Sequence, residues 1–97
     1  MAKVIWSDES FRWLEEIHDF LAQHSPGAAI RTIEGIYSRV QILAEFPELG
    51  FRYDLAGRDD VRVLLYGHYR IAYVVGELDR VEILGIFHAA LDIDRFL

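Results

Sequence analysis

Cysteine is absent from all 97 residues, which excludes disulfides, thiolate metal sites and a cysteine nucleophile, and fits a reducing compartment. Lysine is nearly absent as well: Lys3 stands alone, and ten basic residues face sixteen acidic ones for a net charge of −6. Proteins that grip a phosphate backbone draw most of their affinity from lysine and arginine, so strong direct nucleic-acid binding is not expected. No apolar run approaches the roughly 20 residues a membrane helix needs, and the N-terminus lacks the basic-then-apolar order of a signal peptide. The expected setting is therefore cytoplasmic, without a membrane partner. Gly-x-Gly-x-x-Gly, a phosphate loop and a Gly-x-Ser-x-Gly elbow are all missing, so nucleotide binding and serine hydrolysis lack their minimal parts.

What is present suffices for one domain spanning residues 1–97. Hydrophobic residues make up 53% of the chain, enough for a single core. Val61-Arg-Val-Leu-Leu-Tyr-Gly-His-Tyr-Arg-Ile-Ala-Tyr-Val-Val75 reads as two strands joined at Gly67-His68, and Val81-Glu-Ile-Leu-Gly-Ile-Phe-His88 as a third. β-Branched and aromatic residues dominate all three, and apolar residues fill both alternation sets. Such a sheet needs a cover, which the first half of the chain supplies.

Lys3-Val-Ile-Trp6 reads as a short first strand, followed by Ser7 as an N-cap with Asp8 and Glu9 where the helix dipole favours negative charge. The helix is expected to reach about His24, with Trp13, Leu14, Ile17, Phe20 and Leu21 on its apolar stripe. Ser25-Pro26 starts a second helix, striped by Ala29, Ile33, Ile36, Val40 and Leu43 and stopped by Pro47 and Gly50. The break between the helices is so short that they must form an antiparallel hairpin. Residues 50–60 read as a surface loop, and Asp92 to Phe96 as a terminal helical turn. The fold class is α+β, in the order β-α-α-β-β-β, with the helical hairpin on one face of a twisted antiparallel sheet and the other face partly open.

That order, with Val4-Ile-Trp-Ser7, Ser25-Pro-Gly-Ala-Ala-Ile-Arg31, Leu43-Ala-Glu-Phe-Pro-Glu-Leu-Gly50, Arg62, Tyr69-Arg-Ile-Ala-Tyr73 and the third strand through His88, resembles the RelE/ParE superfamily of toxins from bacterial type II toxin-antitoxin systems, above all its ParE-like branch. The resemblance implies a cognate antitoxin as partner and no cofactor. It also implies one of two targets, since RelE-like members cut messenger RNA on the ribosome while several ParE-like members inhibit DNA gyrase. RNA cleavage needs a proton acceptor, cations for the phosphorane charge and a donor to the leaving oxygen. Here Val61 and Val63 stand where second-strand cations would be expected, and only Arg70 matches a ribonuclease cation. Inhibition of gyrase by binding, without catalytic residues, is the expected activity. A ribonuclease built on Arg70 and His88 is the enzymatic alternative, and a non-toxic member that keeps only antitoxin binding is a third reading. The ParE-like pattern His-x-x-Arg-Asp is here His88-Ala-Ala-Leu-Asp92, with Leu91 in place of the arginine.

The residues expected to meet the target or the antitoxin are Arg52, Arg58, Arg62, Tyr69, Arg70, Tyr73, His88 and Leu91. Each has a plainer alternative. Arg62 and Arg70 could pair with Asp59, Asp60 or Glu82, the tyrosines could simply pack, and His88 could be a hydrogen-bonded structural histidine. Glu15 and His18 have the spacing of a carboxylate-histidine metal motif but lack a second copy, so no metal is expected.

Overall fold

The computed structural model describes residues 1–54 and 57–88, and the expected terminal turn at Asp92 to Phe96 lies outside them. Strand β1 (Lys3–Trp6) leads into α1 (Asp8–Ala22) and α2 (Pro26–Gln41), the latter extended by a 3₁₀ turn at Ile42–Ala44. Then follow β2 (Phe51–Arg52), β3 (Val61–Tyr66), β4 (Tyr69–Val75) and β5 (Arg80–His88). The sheet order is β1-β5-β4-β3-β2. It is mixed rather than wholly antiparallel, because β1 runs parallel to β5. The helical hairpin forces this: the chain leaves β1, crosses the sheet twice and returns to fill the middle strands, which leaves β1 on an edge. The two-residue β2, paired with β3 through Phe51↔Val63 and Arg52↔Arg62, lies inside the segment expected to be loop.

Both helix starts are built on serine. The Ser7 hydroxyl accepts from the Ser10 amide at 3.0 Å and donates to the Ile83 carbonyl at 2.8 Å, so one side chain caps α1 and ties it to β5. Ser25 accepts from the Ala28 amide at 3.2 Å with Pro26 in the first turn. The β3–β4 hairpin turns at Gly67-His68, where Gly67 has φ +56°; only glycine takes that conformation without strain. The β4–β5 connection is less comfortable, with Leu78 at φ 59° and Asp79 at φ 54°.

Helix α1 packs over β5 and α2 over β3. The main core joins Ile36, Val40 and Leu43 to Leu64, Ile71, Tyr73, Val81, Ile83 and Ile86, with Trp13, Leu14 and Ile17 of α1 packed against it. A second cluster on the other alternation set contains Val61, Val63, Ala72 and Phe87. That face is less open than expected, since Val61 and Val63 are fully buried; Leu65 and Phe51, the latter paired with Val63, are each half exposed and keep the character of uncovered positions. Phe20, expected on the apolar stripe, is 62% exposed, because it lies in the last turns of α1 beyond the main core.

One irregularity decides the geometry of the site. From Val75↔Val81 to Tyr73↔Ile83 the β4–β5 register is regular; it then shifts, so that Ala72 faces Gly85, Arg70 faces Phe87 and Tyr69 faces His88. Leu84 is the extra residue. A bulge of one residue moves everything beyond it to the opposite face relative to the undisturbed register.

Candidate functional site

Because of the bulge, Tyr69 and His88 are direct cross-strand partners, as are Arg70 and Phe87. Successive residues of a strand point to opposite faces. His88 therefore shares a face with Tyr69, and Arg70 lies on the other, between Leu65 of β3 and Phe87 of β5. The tyrosine ring meets His88 edge-on at 5.7 Å, and His68 from the hairpin turn stacks on His88 at 6.0 Å. Burial raises the pKa of the Tyr69 hydroxyl above its ordinary 10.0.

Arg62 and Tyr73 hold a loop. The Tyr73 hydroxyl accepts from the Gly50 amide and donates to the Pro47 carbonyl, both at 2.8 Å. Arg62 Nη1 donates to the Glu48 carbonyl at 3.1 Å and the Gly50 carbonyl at 2.7 Å. Residues 47–50 are thus pinned at four backbone groups, and Gly50 sits so close that a Cβ there would lie 2.7 Å from the Tyr73 ring and 2.8 Å from the Val63 carbonyl. Burial raises the Tyr73 pKa, against smaller opposing effects of the Gly50 amide and Arg62. The acidic pairing considered for Arg62 is replaced by these main-chain carbonyls, and Tyr73 is a core residue with a structural hydroxyl.

Arg58 forms a two-pronged pair with Asp60, Nε to Oδ1 and Nη2 to Oδ2, each at 3.0 Å. That hydrogen-bonded pair raises the arginine pKa and lowers the carboxylate's. Arg52 lies exposed on β2, across from Arg62. Leu91 lies outside the described residues. Expected contact residues are therefore dispersed: Tyr69 and His88 meet, Arg62 and Tyr73 form a structural clamp, and Arg70 is isolated from the histidine. Among the described residues no group of three or more histidines and carboxylates is placed to hold a metal, and His18 Nδ1 lies 3.2 Å from Asp19 Oδ1 rather than turning to Glu15. No helix of the described residues is long and apolar enough to cross a membrane.

Sequence reading missed the surface on which Tyr69 and His88 open. With Ile86 they form one wall of a groove of about 520 Å³, and Trp13, Glu16, Ile17 and Phe20 of α1 form the other. The Trp13 ring also meets Phe87 edge-on at 4.7 Å. The i, i+3, i+4, i+7 spacing of Trp13, Glu16, Ile17 and Phe20 placed these residues on one helix face, but which of them lie beyond the core depends on the crossing of α1 over β5.

Comparison with known proteins bears on the whole chain. Residues 4–93 match the family model described as the ParE toxin of the parDE type II toxin-antitoxin system. The chain is 34% identical over 90 residues to Toxin RelE2 of Caulobacter vibrioides, covering 93% of this chain and 98% of that toxin. The fold is similar to that in the chromosomal ParDE toxin-antitoxin system of P. aeruginosa, with a TM-score of 0.76 at 20% identity over 91% of this chain and 96% of that one. It is also similar to that in the RelBE2 toxin-antitoxin complex of Mycobacterium tuberculosis, with a TM-score of 0.64 at 18% identity over 90% and 96% of the two chains.

Proposed function

Since the chain belongs to the RelE/ParE superfamily of type II toxin-antitoxin toxins, matching its ParE family over residues 4–93, we propose that it arrests growth by binding DNA gyrase, and that a cognate antitoxin neutralises it. The observation that carries this reading is the separation of Arg70 from His88 by the sheet itself. Cleavage by 2′-hydroxyl attack requires a proton acceptor and phosphate-stabilising cations on one scissile group, and a cation on the far face of a β-sheet cannot share that group with the histidine. Arg62 and Arg58 are already engaged, one by loop carbonyls and the other by Asp60, so neither supplies the missing charge. A binding toxin needs no such convergence. Its requirement is a shaped surface, and gyrase as target implies a cytoplasmic site of action.

Induced expression in a bacterium, with and without the neighbouring antitoxin gene, tests this. Growth arrest with induction of the DNA-damage response, relieved by the neighbour, is the expected result. Arrest with cleaved transcripts, an intact DNA-damage reporter baseline and relief by Arg70→Ala would overturn it in favour of ribonuclease action.

A further inference from the structure

The end of the sheet away from Tyr69 and His88 carries a second concave surface. Residues 45–49 and the β4–β5 turn meet there beside Val75, around a space of about 450 Å³. Phe46 and Leu49 line it, 58% and 47% exposed, together with the carboxylates of Glu45, Glu48 and Asp79. Arg62, whose guanidinium holds the Glu48 and Gly50 carbonyls, is not among the lining residues. Surface loops are ordinarily mobile, but this one is fixed along its length. The Phe46 amide donates to the Ile42 carbonyl at 3.0 Å and the Leu49 amide to the Phe46 carbonyl at 3.1 Å, and the Tyr73–Arg62 clamp holds main-chain groups of Pro47, Glu48 and Gly50. In the facing turn Asp79 is left-handed at φ 54°, closed by the Gly76 amide on the Arg80 carbonyl at 2.7 Å; strained backbone of this kind clusters where function requires it. Half-exposed apolar side chains on a backbone fixed in advance suit a protein-binding surface, because little ordering entropy remains to be lost.

We infer that this surface is the one that meets gyrase, by seating a cationic segment of that enzyme with an apolar side chain entering between Phe46 and Leu49 and lysines or arginines meeting Glu45, Glu48 and Asp79. The inference rests on the proposed gyrase inhibition and adds the place and the chemistry of the contact. The carboxylates select the occupant. They repel an anionic membrane or a free nucleic acid, and a second copy docked two-fold on the same patch would set them against themselves. An enzyme that grips DNA must present lysines and arginines along the DNA track, which is the complement this surface asks for. Apolar burial supplies the affinity, while the charges speed encounter and fix the register. The surface lies roughly 20 Å along β4 from Tyr69, so it is separate from the groove beside α1.

The test is inhibition of gyrase supercoiling by the full chain and its variants, with urea unfolding and binding of the neighbouring antitoxin measured on each. Phe46→Asp is expected to raise the concentration for half-inhibition by about tenfold or more. Glu45→Lys with Glu48→Lys, at two exposed positions where folding is not at risk, is expected to raise it about tenfold at about 50 mM salt and less at about 200 mM, where exposed charges are screened. Glu15→Lys with Asp19→Lys makes the same change in net charge on α1 and is expected to change nothing. Antitoxin binding is expected to persist in every variant. Should Phe46→Asp unfold, the charge-reversal pair decides alone. Inhibition by the Glu45/Glu48 pair equal to that of the unaltered chain would overturn the inference and leave gyrase inhibition standing, whereas an unaltered chain that does not inhibit gyrase would overturn both. An equal loss in the α1 control would assign the effect to net charge, and loss of antitoxin binding with inhibition retained would assign the surface to the antitoxin; either overturns it.

Discussion

Replacing Tyr73 by phenylalanine removes one oxygen from the core and leaves its shape intact. That oxygen accepts from the Gly50 amide and donates to the Pro47 carbonyl at 2.8 Å each, in a place where Tyr73 and Gly50 are both buried. A buried group stripped of its partner costs about 1–3 kcal/mol, more than the roughly 1 kcal/mol net value of an ordinary hydrogen bond. The Gly50 amide is the group at risk, since Arg62 continues to hold the Glu48 and Gly50 carbonyls. The expected loss is about 2–3 kcal/mol, a large part of the roughly 5–15 kcal/mol that stabilises a domain. At about 4–8 °C per kcal/mol for a domain of this size, Tm should fall by roughly 10–20 °C. Urea unfolding of the two proteins measures the difference directly, with an unchanged m-value confirming that the folded state is the same. Arg62→Ala acts on the same loop, so the double variant should be non-additive by about 0.5 kcal/mol or more. A loss below about 0.5 kcal/mol in Tyr73→Phe, or strict additivity with Arg62→Ala, would refute the clamp.

Three further outcomes follow from the fold. Burial raises the Tyr73 pKa above its ordinary 10.0, so the folded state holds this proton more tightly than the unfolded one; that contribution is complete below about pH 10 and is lost as pH rises through the folded value, and Tyr73→Phe should show a shallower alkaline decline in urea midpoint. Ser7→Ala removes both the α1 cap and the bond to the Ile83 carbonyl and should cost about 1–2 kcal/mol, measured by the same unfolding curves. Leu78→Gly relieves a left-handed residue that is 91% exposed and should stabilise by about 0.5–1 kcal/mol, the left-handed penalty of roughly 1–2 kcal/mol less the added unfolded-state entropy; a drop in Tm would contradict it.

The strands, both helices and their serine caps were legible because each rests on local chemistry: alternation, 3.6-residue periodicity, a hydroxyl before an acidic or proline-led first turn. The Gly67-His68 turn was legible for the same reason. Pairing was not. Nothing local to Lys3–Trp6 specifies a parallel partner, and Phe51–Arg52 is too short to carry a period. The bulge at Leu84 was equally invisible, and its consequence is the largest. Extending the register Val75↔Val81 without interruption would leave Arg70 and His88 on one face, whereas the extra residue places them on opposite faces. The alternative in which Arg70 and His88 act together comes from the family resemblance, and the bulge sets these two residues on opposite faces of the sheet. Arg62 and Tyr73 were legible as singular residues, but their loop partners are main-chain groups, which leave no mark on side-chain patterns. The groove depends on how far α1 overhangs β5, a matter of packing angle that periodicity does not encode.

The account stands most directly on whether the protein acts on gyrase by binding. Purified chain added to DNA gyrase and relaxed plasmid should block supercoiling and trap cleaved DNA in proportion to its concentration, while the unaltered chain leaves messenger RNA on ribosomes uncleaved. Full gyrase activity at saturating toxin, together with ribosome-dependent RNA cleavage abolished by Arg70→Ala or His88→Ala, would contradict it.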